Sequence, residues 1–147
     1  MDWNSQATMR VNVSHTGATE IYNMIDSLNA GGLTRIQHAM ELARTYLRGG
    51  NTPIVYPECQ ETVLIVISDG GFNGNIQAGY DAAADMFQND KIRTVVVSFY
   101  SGNQTTHKKL AEAGGTYFDD GDPNNDYSPI SAANWQELYN AISKIIQ

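Results

Sequence analysis

Cysteine is nearly missing from these 147 residues. Cys59 stands alone, so no internal disulfide can staple the fold. A chain of this length buries roughly 70% of the surface its unfolded form exposes, and so holds a core without staples. Cys59 reads as a small buried hydrophobe or as a thiol whose partner lies in another chain, and no neighbouring His or basic residue activates it. Basic residues are scarce: nine Lys and Arg against sixteen Asp and Glu leave a net charge of −7. Nucleic-acid binding draws on clustered cations to neutralise phosphates. Lys108-Lys109 is the only adjacent pair, which excludes nucleic acid as a partner. An acidic chain suits divalent cations or basic partners, although most acidic charge only solubilises. No apolar run approaches the roughly 18 residues of a membrane span. Met1-Asp2-Trp3-Asn4-Ser5 shows no basic region leading into an apolar core, so no signal peptide is expected. Also missing are a Gly-x-Ser-x-Gly elbow and a phosphate loop ending in Gly-Lys-Ser/Thr. His15, His38 and His107 fall on different predicted elements without metal-ligand spacing, so packing or surface exposure is expected of each.

What the chain does have is the stretch Glu61-Thr62-Val63-Leu64-Ile65-Val66-Ile67-Ser68-Asp69-Gly70-Gly71. Five consecutive apolar residues, mostly β-branched, lead into a polar, flexible tip. A run without alternation suits a strand of a parallel sheet covered by helices on both faces. It places Asp69 at the carboxyl end of that strand, the edge where open α/β sheets bind ligands. Ser68 reads as a strand-end hydroxyl.

Around this axis the remaining elements fall in order. Met1 to Ala7 is a lead-in segment, and Met9–His15 alternates like a half-buried edge strand. Ile21, Met24, Ile25 and Leu28 recur at helical spacing, with Thr19 as cap. A second helix begins near Thr34, with a stripe of Ile36, Ala39, Met40, Ala43, Tyr46 and Leu47, and Gly49-Gly50 stops it. Residues 51–59 form a loop. Ile76–Asn89 is an alanine-rich helix, Ile92–Tyr100 a second buried strand, Thr105–Ala113 a short helix closed by Gly114-Gly115, and Thr116–Phe118 a short strand. Asp119–Ser128 is an acidic loop, and Asn134–Ile146 the last helix, with Leu138, Ala141, Ile142 and Ile145 on one face. Strand and helix alternate from Glu61 onward, which predicts a mostly parallel α/β sheet with right-handed crossovers in one domain.

The ordered set Gly31-Gly32-Leu33-Thr34-Arg35-Ile36-Gln37-His38-Ala39-Met40, then Val63-Leu64-Ile65-Val66-Ile67-Ser68-Asp69-Gly70, resembles the von Willebrand factor type A domain. Val95-Val96-Val97-Ser98, the stretch Leu110–Phe118 and the closing helix are similar to that family's last strands and helix. The likeness runs from about Met9 to Gln147, and Cys59 just before the central strand is similar to the A domains of bacterial pilus tip adhesins. The resemblance implies a Rossmann-like three-layer α/β/α sheet, extracellular or on a cell surface. It also implies a metal-ion-dependent adhesion site on the carboxyl edge. There an Asp-x-Ser-x-Ser motif, a Thr and an Asp hold a divalent ion; the Thr matches Thr34 and the Asp matches Asp69. Hydroxyl and carboxylate oxygens suit hard cations such as Mg²⁺ or Ca²⁺. Gly70, Gly71, Phe72 and Asn73 would line the rim.

The chain departs from that pattern in having no Asp-x-Ser-x-Ser. By comparison with the family, residues 1–147 form a single partial domain whose first strand, first helix and second strand are absent. The family's first strand lies beside the strand matched by Thr62–Ile67, so that strand would keep one unpaired side, an association hazard. Three resolutions follow. A second segment or chain completes the sheet and carries the missing ligands, the chain dimerises through the open edge, or Met9–His15 pairs beside Thr62–Ile67. Asp69 reads as a metal ligand or as a cap of the glycine-rich turn and following helix, and Thr34 as a ligand, a helix cap, or both. Asp120, Asp122, Asn124 and Asp126 offer oxygens at alternate positions, as calcium loops do; Pro123 and the missing terminal Glu favour a solvated turn. Trp3, Tyr56, Tyr80, Tyr100 and Tyr127 form a binding rim or pack ordinarily. The expected function is a protein-binding adhesion module, not an enzyme. The alternatives are an assembly subunit acting through an open sheet edge without metal, and a small α/β hydrolytic enzyme using Asp69.

Overall fold

The computed structural model describes residues 1–3, 6–12, 17–27, 33–49, 62–99, 104–118 and 128–145. No helix among them is long and apolar enough to cross a membrane. From residue 63 onward strand and helix alternate as the sequence predicts: β3 (Val63–Ser68), α3 (Ile76–Asp90), β4 (Arg93–Phe99), α4 (Gln104–Ala113), β5 (Ile130–Ala132) and α5 (Trp135–Ile145). Before them come β1 (Asp2–Trp3), β2 (Ala7–Thr8), α1 (Gly17–Met24) running into a 3-10 turn at Ile25–Ser27, and α2 (Ile36–Leu47). The order across the main sheet is β3-β4-β5 and both pairings are parallel, with Val63 opposite Arg93, Ser68 opposite Ser98 and Phe99 opposite Ala132.

Helices cover both faces. Val66 and Val96 pack against Ile36, Ala39 and Met40 of α2, Ala82, Ala83 and Met86 of α3, and Leu110 and Ala111 of α4. On the opposite face Val97, Phe99 and Ala132 meet Leu138 of α5, with Ile65 and Ile142 at the margin. The architecture is therefore the expected three-layer α/β/α arrangement. Burial on both faces falls on β4, buried from Thr94 to Phe99. In β3, residues 63–65 are half-buried and Ile67 is 40% exposed. Among the described residues β3 pairs with β4 alone, while α5 packs on β4 and β5.

Several local expectations are corrected. Residues 9–12 do not form a strand, although their side chains do alternate in exposure; the short pairing lies earlier, with Asp2 opposite Thr8 and Trp3 opposite Ala7. The rest of that predicted strand, 13–15, lies outside the described residues, as do Leu28, Cys59 and residues 51–60. Thr19 lies within α1 rather than capping it, and Ile21 is half exposed. Thr116–Phe118 is not a strand either; the third strand is β5. Thr116 instead works through its side chain. Its hydroxyl donates to the Thr94 carbonyl at 2.6 Å and lies 2.9 Å from Ser128 Oγ, which accepts from the Val96 N–H at 3.1 Å. Pairing of β4 with β5 begins only at Val97, so Ser128 supplies the acceptor that a longer strand would have offered. Gly115 follows α4 at φ +70, and a Cβ there would meet the Phe87 ring at 2.4 Å, which leaves glycine as the residue that fits. The last helix starts where predicted. Asn134 Oδ1 accepts from the Gln136 and Glu137 N–H groups at 3.0 Å each, and the Glu137 carboxylate accepts from the Ala133 N–H at 2.8 Å, a reciprocal cap.

Candidate binding edge

At the carboxyl edge of the sheet β3 ends on Ser68 and β4 passes Ser98 in the same register. Ser68 is buried, and its hydroxyl donates to the Gly70 carbonyl at 3.0 Å. This tightens the backbone directly after the strand and leaves Asp69 between them, exposed to solvent. The loop then returns toward α2: the Asn73 N–H donates to the Thr34 carbonyl at 2.8 Å. Thr34, half-buried, and the loop that carries Asp69 thus belong to one rim.

Neither residue is a helix cap. The N-cap of α2 is Arg35 and no side chain caps that end. The N-cap of α3 is Asn75, whose Oδ1 accepts from the Ala78 N–H at 3.3 Å. Of the predicted rim residues, Asn73 is exposed and its Nδ2 donates to the Gly71 carbonyl at 3.4 Å, while Gly70 and Gly71 are half-buried. Phe72 departs from the expectation: only 6% exposed, it turns into the core and anchors the loop. Tyr80 is half-buried, and its hydroxyl donates to the Thr106 carbonyl at 3.2 Å, joining α3 to α4. Tyr56, Tyr100, Tyr127 and the candidate calcium positions Asp120, Asp122, Asn124 and Asp126 lie outside the described residues. Among the described residues no group of three or more His, Cys, Asp or Glu stands together as a metal cluster.

The residue that sequence reasoning treated as mere packing is His107. It is fully buried on α4, with Nε2 3.0 Å from the Gly70 carbonyl and Nδ1 in a hydrogen bond with the Ser98 hydroxyl. Burial pushes its pKa down, partly offset by the bond to Gly70. The available signal was its position three and four residues before Leu110 and Ala111, on the buried stripe of the helix. A polar ring there needs partners.

No family model and no curated protein sequence matches the chain. Among solved structures, the fold is similar to that of the manganese-loaded TRAP protein of Plasmodium vivax, with a TM-score of 0.58 and 15% identity over 90% of this chain. The match covers 50% of that chain, so this chain spans about half its length. At such identity the likeness is one of fold, and the fold is von Willebrand factor A-like, as the resemblance implied.

Proposed function

We propose that this chain is a protein-binding module of the adhesion type, at a cell surface or outside the cell, that recognises its partner at the carboxyl edge of the β3-β4-β5 sheet. The observation that carries this reading is the 2.8 Å bond from the Asn73 N–H to the Thr34 carbonyl. It ties the Asp69 loop to the approach of α2 and makes one rim of two segments distant in sequence. The finer assignment to a pilus-associated adhesin rests on Cys59 alone.

A divalent cation, Mg²⁺ or Ca²⁺, fits this rim in kind. Asp69 offers an exposed carboxylate and Thr34 a hydroxyl, both hard oxygen donors. It does not fit in number, because two protein oxygens leave most of a six-oxygen shell to water, to an acidic group of the partner, or to a second segment. Affinity from this chain alone would then be on the order of 10⁻³ M, the weak end for extracellular calcium modules. The ion's contribution would be to bridge the chain to a partner's oxygens.

Thermal unfolding with and without the ion tests this. At about ten times such a Kd, linkage stabilises the fold by about 1.4 kcal/mol, which raises Tm by about 3–6 °C for a domain of this size. Mg²⁺, Mn²⁺ or Ca²⁺ should produce that rise, EDTA should reverse it, and Asp69→Asn or Thr34→Val should remove it. An unmoved Tm in the parent chain sinks the cation. The same reading makes the chain a binder rather than a catalyst; turnover that disappears in Asp69→Asn would overturn it.

A second reading is favoured by β3. Its sequence Val-Leu-Ile-Val-Ile-Ser carries no charge or proline to blunt an edge, and among the described residues it pairs on one side only. Here a strand from a second segment or chain adds to β3 through main-chain hydrogen bonds. Under this reading EDTA changes nothing.

A further inference from the structure

His107 touches three parts of the rim without being exposed to it. The Gly70 carbonyl oxygen can only accept, so His107 Nε2 carries a proton, and in the neutral ring Nδ1 then accepts the hydroxyl proton of Ser98. The Phe72 ring packs on the imidazole with centroids 4.9 Å apart. The ring therefore holds the loop on both sides of Gly71, by the backbone of Gly70 and by the side chain of Phe72, and is itself fixed by the end of β4. Among the described residues, nothing lies within 4 Å of a Cβ built on Gly70. Its carbonyl accepts from His107 Nε2 and Ser68 Oγ, each at 3.0 Å, which fills both lone pairs.

We propose that His107 is the positioning residue of the binding loop: its Nε2–H fixes the Gly70 carbonyl and so sets the direction in which the adjoining Asp69 carboxylate leaves the sheet. What the loop is positioned for rests on the proposed function; that His107 fixes it does not. A leucine at this position would continue the apolar helix stripe but would remove the ring's hydrogen bonds to the buried Ser98 hydroxyl and to the Gly70 carbonyl.

The test separates the two claims. In the parent chain, long-range ¹H–¹⁵N spectra of the imidazole should show a protonated Nε2 and a bare Nδ1. The opposite tautomer, or a ring averaging between orientations, overturns the proposal even if no variant folds. His107→Leu should speed amide hydrogen exchange at Gly70–Asn73 by about tenfold or more while β4 amides keep their rates. His107→Gln, whose amide N–H reaches the Nε2 position, should restore slow exchange. Equal acceleration of β4, no acceleration at all, or no rescue by glutamine would each mean that the ring only packs. Paramagnetic broadening by Mn²⁺ is the second arm. Under the proposed function it should strike the Thr34, Asp69 and Gly70 amides of the parent and His107→Gln chains and weaken in His107→Leu. No broadening in the parent removes the cation reading and leaves the exchange result to decide on His107.

Discussion

Asp85 accepts from two arginines of the neighbouring helix, Arg44 Nη1 at 3.1 Å and Arg48 Nη1 at 2.9 Å, while Arg48 Nη2 reaches Asp90 at 2.7 Å. The group ties the last turns of α2 and α3 together. The Arg48 bond, then that of Asn89, holds the Asp85 carboxyl down at about 2, and the carboxylates in turn raise Arg48. A carboxyl lowered in the folded state adds stability that is fully present above its ordinary value near 3.8 and is lost as pH falls through about 2. Urea midpoints measured from pH 5 to pH 2 should therefore fall less in Asp85→Asn than in the parent, and the two curves should converge at the acid end. Salt should narrow the gap, since these side chains face solvent. None of this pairing stood out in the sequence, because surface charges name no partner until the helices are laid side by side. Asp69 was legible for the opposite reason: a carboxylate two residues beyond a five-residue apolar run, with only Ser68 between, has one place to be. His107 was not, since a single histidine on a short helix looks the same whether its nitrogens are used or idle.

At the scale of elements, α2 and α3 lie close because Gly79 lets them. A Cβ at Gly79 would sit 2.9 Å from Ile36 Cγ2 and 3.3 Å from the Gln37 backbone N. Ile36 is fully buried, so neither neighbour can swing away. Gly79→Ala sets two effects against each other. Alanine in a helix interior gains about 0.5–1 kcal/mol over glycine, and overpacking a filled contact costs about 1–3 kcal/mol. The clash is the larger effect, so the substitution should destabilise by about 1 kcal/mol net, read as a lower urea midpoint with an unchanged m-value. A stabilised variant would mean that the two helices slide apart freely. The alanine-rich pattern of α3 announced a helix but not this contact, because closeness between helices is a property of a pair. The two misplaced strands have a similar cause. Residues 9–12 alternate as a strand does, yet alternation records which side chains meet the core, not whether the backbone finds a ladder. Thr116 has a strand's composition and spends its hydroxyl on Thr94 and Ser128 instead.

For the whole molecule, the alternation of strands and helices carried the layered parallel architecture, because few other arrangements bury such runs on both faces. What it could not carry is who covers β3. An apolar run states a need for burial without naming the supplier, and Ile67 remains 40% exposed at the end of that strand, on the face where α5 packs over β4 and β5. Ile67→Lys puts a charge on that face and turns the question into two measurements. If the face is open in the single chain, lysine costs about 1 kcal/mol for the partial burial lost. If residues of the same chain cover it, burying the charge costs about 4 kcal/mol or more. We expect the small cost, together with a change in mass. The purified parent chain should associate as concentration rises, pairing β3 with β3 of a second copy across a two-fold axis. The lysine variant should stay monomeric over the same range in sedimentation velocity. A parent chain that is monomeric throughout, with a lysine variant that barely folds, would place the cover for β3 inside this chain and remove strand addition as its mode of recognition.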